Sequence, residues 1–157
     1  MQTPLISILI PFKNTESYLS DCLNSIVQQT YSNWELLIVD DGSTDESYAL
    51  VQNYADKDAR IHLLSNDCSG IIEALRTAYK HAKGTFVTRM DSDDVMALNK
   101  LEQMQQSLLI HGEGHLALGQ VRYFSEAGIG NGYKRYETWL NALTSQGTNF
   151  DEIYKEC

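Results

Sequence analysis

The 157-residue chain has only three cysteines, and they exclude more than they supply. Cys22, Cys68 and Cys157 are odd in number, widely spaced and without a Cys-x-x-Cys, so neither a disulfide framework nor a zinc site is expected. Positive charge is also scarce. Twelve Lys and Arg against 21 Asp and Glu leave a formal net charge of −9, which argues against sequence-independent binding to nucleic acid or to an anionic membrane. An acidic protein still takes an anionic ligand where a divalent cation mediates. The longest apolar run, Leu5 to Pro11, is interrupted by Ser7 and is far too short to span a bilayer. No basic-then-apolar leader with a small-residue cleavage site is present, so the expected compartment is the cytoplasm. Internal repeats, low-complexity tracts and linkers are missing too. What is there is ordinary: 43% hydrophobic and 21% charged residues, in a chain the size of one domain with enough length for a sizeable core.

Strand and helix patterns alternate along it. Leu5-Ile6-Ser7-Ile8-Leu9-Ile10 is a near-continuous β-branched and leucine run, as expected of a strand covered on both faces. Asn14 or Thr15 then caps a helix with Leu19, Cys22, Leu23, Ile26 and Val27 on one stripe, where Cys22 is a packing residue. A second strand, Trp34 to Val39, runs into Asp40-Asp41-Gly42-Ser43, and Ser43 with Glu46 reads as a capping box for a helix burying Leu50, Val51 and Tyr54. The third strand, Ile61 to Leu64, carries a structural His62. A polar loop from Ser65 to Gly70 then delivers a helix with Ile71, Ile72, Leu75, Ala78, Tyr79 and Ala82 inward, and Gly84 is expected to give its left-handed exit. A fourth strand, Thr85 to Thr88, follows. Asn99 and Glu102 read as the cap pair of a helix bearing Leu101, Met104, Leu108 and Leu109. Further on, His115 to Phe124 alternates loosely and is read as a possible further strand. Gly128 to Gly132 reads as a flexible turn, and Tyr136, Trp139, Leu140 and Leu143 as the packing face of a helix. Strands alternating with helices predict right-handed crossovers and an α/β, doubly wound, mostly parallel sheet flanked by helices.

The fourth strand releases Arg89-Met90-Asp91-Ser92-Asp93-Asp94, three carboxylates in four residues. Such charges must be solvated, paired or bound to a cation. Asp91-x-Asp93 offers two hard oxygen donors on neighbouring positions of one turn, which suits Mg²⁺ or Mn²⁺ and leaves coordination positions for phosphate oxygens and water. Taken alone, an Asp-x-Asp is more often a solvated turn that caps the next helix. Its context adds weight. In doubly wound sheets ligands bind beyond the carboxyl ends of the strands, where strand order reverses. Asp40-Asp41 and Asp91-Ser92-Asp93 both leave such ends, so both are expected to face one crevice.

Ile10-Pro11-Phe12-Lys13-Asn14, Val39 to Asp45, Ser69-Gly70-Ile71 and Ala82 to Asp94 together resemble the ordered signature of family 2 glycosyltransferases of the GT-A (Rossmann-like) fold, over roughly residues 5 to 111. The resemblance implies an inverting transfer of sugar from a nucleotide donor, most often a UDP-sugar, to an acceptor hydroxyl on a saccharide or glycolipid, with Mn²⁺ or Mg²⁺ as cofactor and no nucleic-acid partner. Carried over by position, Pro11, Phe12 and Asn14 line the nucleotide pocket. Asp41, with Asp40 beside it, receives the base N–H or orients its loop, and Gly70 lets a helix approach the nucleotide. Asp91 and Asp93 contact ribose and metal, with Asp93 the direct ligand. Two departures stand out: Lys13 where the family often has an aromatic residue, which puts base stacking in doubt, and Leu98 where a proline commonly precedes the helix. Residues 1–157 are then expected to form a single nucleotide-sugar-binding domain ending before the acceptor-binding region and the general base. Among the late acids Glu126, Glu137, Asp151 and Glu152, none is nominated as base. Placement at the inner face of the membrane, through a missing C-terminal part, is part of the same expectation.

Other classes weigh less. A signalling receiver domain wants its acidic pair after the first strand and a phosphoacceptor after the third, whereas the acids here follow the second and fourth. A nucleotidyltransferase wants a glycine-rich basic loop after the first strand, and Pro11-Phe12-Lys13-Asn14 has no glycine. A nucleotide-binding module that has lost catalysis also fits.

Overall fold

The computed structural model describes residues 3–125 and 127–152. Ten elements follow in order: β1 (Ile6–Phe12), α1 (Glu16–Val27), β2 (Trp34–Asp40), α2 (Ser47–Ala55), β3 (Ile61–Ser65), α3 (Ile71–His81), β4 (Phe86–Arg89), α4 (Lys100–His111), α5 (Asn131–Gln146) and α6 (Asn149–Glu152). The chain divides into two compact units, Met1–Gln106 and Ser107–Cys157.

In the first unit the four strands form one sheet in the order β3-β2-β1-β4, and every pairing is parallel. The doubly wound expectation holds. Strand residues alternate between faces with period two. Ile6, Ile8, Ile10 and Phe12 of β1 with Leu36 and Ile38 of β2 pack with Leu19, Cys22, Leu23 and Ile26 of α1 and Val51 of α2. On the opposite face Leu9, Leu37 and Val39 meet Ala74 and Ala78 of α3. The chain therefore winds from β1 outward to β3 with helices on one face, then crosses behind the sheet on α3 to reach β4 on the other side of β1. Strand order reverses at β1.

Several local expectations are corrected. On α3, Ile71, Ile72 and Tyr79 are exposed and Ala74 takes the buried place, because a stripe of small side chains seats the helix backbone close to the sheet. On α4, Leu101 is buried while Leu109 is exposed. Gly84 is absent from the positive-φ glycines. It is required instead by a close approach, since a Cβ there would lie 2.6 Å from Ser7 N and Ser7 Oγ. Ser43 and Glu46 form no capping box: α2 starts at Ser47, with no side-chain cap from Glu46. Glu102 is likewise drawn away, its carboxylate accepting the Thr30 hydroxyl at 2.9 Å.

In the second unit the expected strand over 115–124 does not form. Leu116, Leu118, Val121 and Phe124 are exposed, and the backbone is held by side chains of α5 rather than by a ladder. Asn141 Oδ1 accepts Val121 N–H at 2.8 Å, Asn141 Nδ2 donates to Val121 O at 2.7 Å, and Glu137 Oε2 accepts Tyr123 N–H at 2.6 Å. The α5 helix includes Gly132, expected in a turn, and none of its residues is buried. Its Tyr133, Tyr136 and Trp139 form with Tyr123 a chain of tilted ring contacts. Glu126 and Cys157 lie outside the described residues.

Candidate functional site

The carboxyl edge of the sheet gathers the loops that the sequence singles out. β2 stays paired with β1 up to Phe12↔Asp40, whereas the β4 register stops at Leu9↔Arg89. The last three residues of β1, Ile10, Pro11 and Phe12, therefore extend past β4, with the Asp40-Asp41 turn leaving on one side of them and the Asp91-Ser92-Asp93 turn on the other. Strands lie about 4.8 Å apart, so β2 and β4 stand roughly 10 Å apart across β1.

On the β2 side every loop is tied to another. The Asp41 N–H donates to Phe12 O at 2.9 Å. Asp41 Oδ1 accepts Asn66 Nδ2 at 2.6 Å and the Gly70 N–H at 2.8 Å, so this carboxylate fixes the β3–α3 loop at the point where Gly70 adopts φ 97°. Asp41 Oδ2 lies 4.0 Å from Lys13 Nζ. Asp40 Oδ1 accepts the Ser43 N–H at 3.0 Å and tightens its own turn. Asn14, with φ 52°, accepts the Thr44 N–H at 2.8 Å on Oδ1, and its own N–H donates to Ser43 Oγ at 3.1 Å.

The same two loops cap each other's helices. The first N–H groups of a helix have no partner within it. Here Thr15 N–H donates to Ser47 Oγ at 2.9 Å, Glu16 N–H to Asp45 Oδ2 at 3.3 Å, and Glu46 N–H to Glu16 Oε2 at 2.9 Å, while Asp45 Oδ1 takes Ser47 N–H at 3.0 Å. Sequence reasoning missed Asn66, Glu16, Asp45 and Ser47. Only the Asp45-x-Ser47 spacing, which matches a side chain bonding its backbone two residues on, was a local signal.

On the β4 side the turn is anchored by alternation. Met90, Ser92 and Met96 are buried, whereas Asp91, Asp93 and Asp94 are exposed. Met90 N–H donates to Leu9 O and Met96 N–H to Ser25 Oγ; Cys22 Sγ lies 3.8 Å from Asp91 O. Arg89 Nη2 donates to Asp91 Oδ1 at 2.7 Å. Asp93 makes no hydrogen bond or ion pair among the described residues. Of the predicted nucleotide residues, Pro11 and Phe12 are buried, and Phe12 packs in the core with its carbonyl accepting the Asp41 N–H.

The acids divide electrostatically. The Asn66 amide, then the Gly70 N–H and the Lys13 charge, hold the Asp41 carboxyl below the ordinary value of 3.8. Hydrogen bonds from Ser47 and from the Arg60 guanidinium do the same for Asp45 and Asp58. Asp94 goes the other way: although the residue is exposed, partial desolvation of its carboxyl and then the charges of Asp91 and Asp93 raise it. Beneath it the Cys22 thiol is pushed up to about 12 by burial, then by Asp94 and Asp93. Depressed carboxyls contribute stability that is present above 3.8 and lost as pH falls through their folded values; a raised one costs stability above its folded value, and that cost vanishes as pH falls to 3.8. Asp94→Asn is therefore expected to raise the urea midpoint at pH 7 and to lose that advantage by about pH 4; only below that pH does the whole protein weaken as Asp41, Asp45 and Asp58 protonate. A midpoint difference between variant and parent that is flat with pH would contradict this.

Among the described residues no group of three or more His, Cys, Asp or Glu is arranged to hold a metal ion. Two carboxylates on one turn fit a hard cation whose remaining positions are filled by phosphate oxygens and water.

A parallel sheet reversing at β1, with acidic turns at the carboxyl ends of both its neighbours, defines a GT-A glycosyltransferase core. Residues 7–155 match Glycosyl transferase family 2, and the chain belongs to that family. An uncharacterized glycosyltransferase of Haemophilus influenzae is 38% identical over 124 residues, 78% of this chain and 48% of the relative. The Escherichia coli UDP-Glc:alpha-D-GlcNAc-diphosphoundecaprenol beta-1,3-glucosyltransferase WfgD is 42% identical over 111 residues, 70% of this chain and 43% of the relative. Among solved structures, Staphylococcus aureus TarS 1-349 in complex with UDP superposes with a TM-score of 0.63 at 25% identity, covering 73% of this chain and 38% of that one. The mannosyltransferase PcManGT from Pyrobaculum calidifontis, in complex with GDP-Man and Mn²⁺, gives 0.63 at 26% identity, covering 69% and 33%. The chain spans about half the length, or less, of these relatives.

Proposed function

We propose that residues 1–157 act together as the nucleotide-sugar-binding domain of an inverting, metal-dependent transferase that moves a sugar from a UDP-sugar to a saccharide or glycolipid hydroxyl in polysaccharide or glycoconjugate synthesis. The observation that carries this reading is the pair of acidic turns flanking the protruding end of β1 on one sheet edge. The names of the E. coli relative and the UDP-bound neighbour support the donor class, and the Mn²⁺ in the mannosyltransferase complex supports the cofactor.

In this reading Pro11, the Phe12 carbonyl and Asn14 form the floor beside the base, Asp41 and Asp40 present the acceptor edge, and Gly70 keeps the start of α3 free of a side chain. Asp93, with Asp91, holds Mn²⁺ or Mg²⁺. Bound there, the cation offsets the negative charge that develops on the leaving diphosphate. The chain's own task is to hold two carboxylates and the nucleotide in fixed relation. Inversion needs a further carboxylate to take the acceptor proton, and it is sought in the half of the relatives' length that this chain does not span. No helix among the described residues is long and apolar enough to cross a membrane; we place the enzyme in the cytoplasm at the inner membrane face because a glycolipid acceptor would be presented there.

A thermal-shift panel of UDP-sugars, GDP-mannose and CDP- and ADP-sugars, each with and without Mn²⁺, tests the proposal. Mass action raises the melting temperature for a ligand specific to the native state, so the expected result is a metal-dependent rise with a UDP-sugar. No rise with any nucleotide sugar would refute the proposed site.

A further inference from the structure

Asp41 spends one oxygen on its own chain and keeps the other. Oδ1 is taken by Asn66 Nδ2 and Gly70 N–H, at 2.6 and 2.8 Å, which fixes the carboxylate plane. Oδ2 makes no hydrogen bond among the described residues and has Lys13 Nζ beside it at 4.0 Å. That distance is too long for a direct hydrogen bond and leaves both groups available to a third partner. Asp41 is largely sheltered and Lys13 is half exposed, with side-chain exposures of 12% and 55%, so the acceptor is rigid and the donor adjustable. An acceptor next to a cationic donor complements a ligand edge bearing an N–H next to a C=O.

We propose that Lys13 is a specificity-determining residue which, with Asp41, restricts the donor to nucleotides whose base has a ring N–H beside a carbonyl. This rests on the reading that a nucleotide binds over the carboxyl ends of β1 and β2. Uracil and guanine present that edge: the ring N–H donates to Asp41 Oδ2 and the neighbouring carbonyl accepts from Lys13 Nζ. Cytosine and adenine present the reverse, a ring nitrogen lone pair beside an amino group. The carboxylate then faces a lone pair and the ammonium faces an N–H, so both polar groups lose a partner. A site built to hydrogen-bond one edge rejects its reversal strongly because its own groups are left unsatisfied.

Calorimetric titration of the full chain in saturating Mn²⁺ with UDP, GDP, CDP and ADP, followed by 2-thio- and 4-thio-UDP, tests it. UDP or GDP is expected to bind roughly 10- to 100-fold tighter than CDP and ADP. Lys13→Met is expected to reduce the UDP-to-CDP ratio about fivefold or more, with Lys13→Arg retaining it. At least one thio analogue is expected to bind more weakly than UDP to the parent protein, with the penalty shrinking in Lys13→Met, because sulfur is a poorer acceptor for the ammonium. Equal binding of all four nucleotides overturns the inference. So does a Lys13→Met variant that weakens all of them equally, since that is the signature of a general field at the phosphates. Failure of every nucleotide to bind would instead remove the nucleotide site itself, and the inference with it.

Discussion

Asp93→Ala is expected to weaken Mn²⁺-dependent UDP binding by about 100-fold or more while leaving the urea unfolding midpoint unchanged or slightly raised. Loss of a group that merely orients a metal ligand costs about 10- to 100-fold, and a direct ligand is expected to cost at least the upper end of that range. Asp93 and Asp91 differ in readiness. Arg89 already engages Asp91 Oδ1 at 2.7 Å, whereas Asp93 has no competing partner among the described residues. The Arg89–Asp91 pair is half exposed on both sides and is worth only about 0–1 kcal/mol, so a divalent cation displaces it readily, and Asp91→Ala is expected to show a smaller loss. The fold survives because Asp93 is exposed and contributes no bond to it. Removing its charge also eases Asp94 and Cys22, both pushed up in part by Asp93. Calorimetry with and without Mn²⁺, beside urea unfolding, separates the two effects. Unchanged metal-dependent affinity in Asp93→Ala would remove it from the metal site.

The parts of this architecture that were legible in the sequence are those whose cause is local. A strand covered on both faces reads as a continuous apolar run, and an acidic turn directly after it reads as a strand end, so Asp40-Asp41 and Asp91-Ser92-Asp93 could be assigned to one edge without coordinates. What was illegible depends on long separations. Asn66 meets Asp41 across 25 residues, and Thr15 meets Ser47 across 32; no spacing rule joins them. Ser43 and Glu46 have the pattern of a capping box, but tertiary partners took both capping positions, with Asn14 N–H claiming Ser43 Oγ and Glu16 claiming the Glu46 N–H. On α3 the apolar positions suggested a broad inward face, whereas Ala74 and Ala78 are the buried residues, Leu75 packs half-buried beside them, and Ile71, Ile72 and Tyr79 remain outside. Over 115–124 the alternation was real, but among the described residues of that unit no strand forms.

The misread glycine carries the largest expected effect on stability. Gly84→Ala is expected to destabilise the protein by roughly 2–6 kcal/mol, out of a total that for a domain of this kind is about 5–15 kcal/mol. The reason is a buried polar knot at the amino end of the sheet. Ser7, on the central strand β1, donates its hydroxyl to Glu35 Oε1 at 2.6 Å. Lys83 N–H donates to the same oxygen at 2.6 Å, and Gly84 N–H donates to Ser7 Oγ at 2.8 Å. Ser7 and Glu35 are both buried. A methyl group on residue 84 would lie 2.6 Å from Ser7 N and Oγ and 2.8 Å from Phe86 O. Two of those atoms are backbone of paired strands and cannot give way cheaply. Overpacking of this kind costs about 1–3 kcal/mol, and displacing Ser7 Oγ leaves buried groups without their partners at about 1–3 kcal/mol more. Gly130→Ala is the control: its φ of −68° suits any residue, and an added Cβ meets nothing within 4 Å, so the expected loss is only about 1 kcal/mol or less, from placing Ala at the N-cap of α5. A Gly84→Ala midpoint matching that of Gly130→Ala would show that the α3–β4 loop can move away from β1, and that the knot around Glu35 does not hold β4 in place.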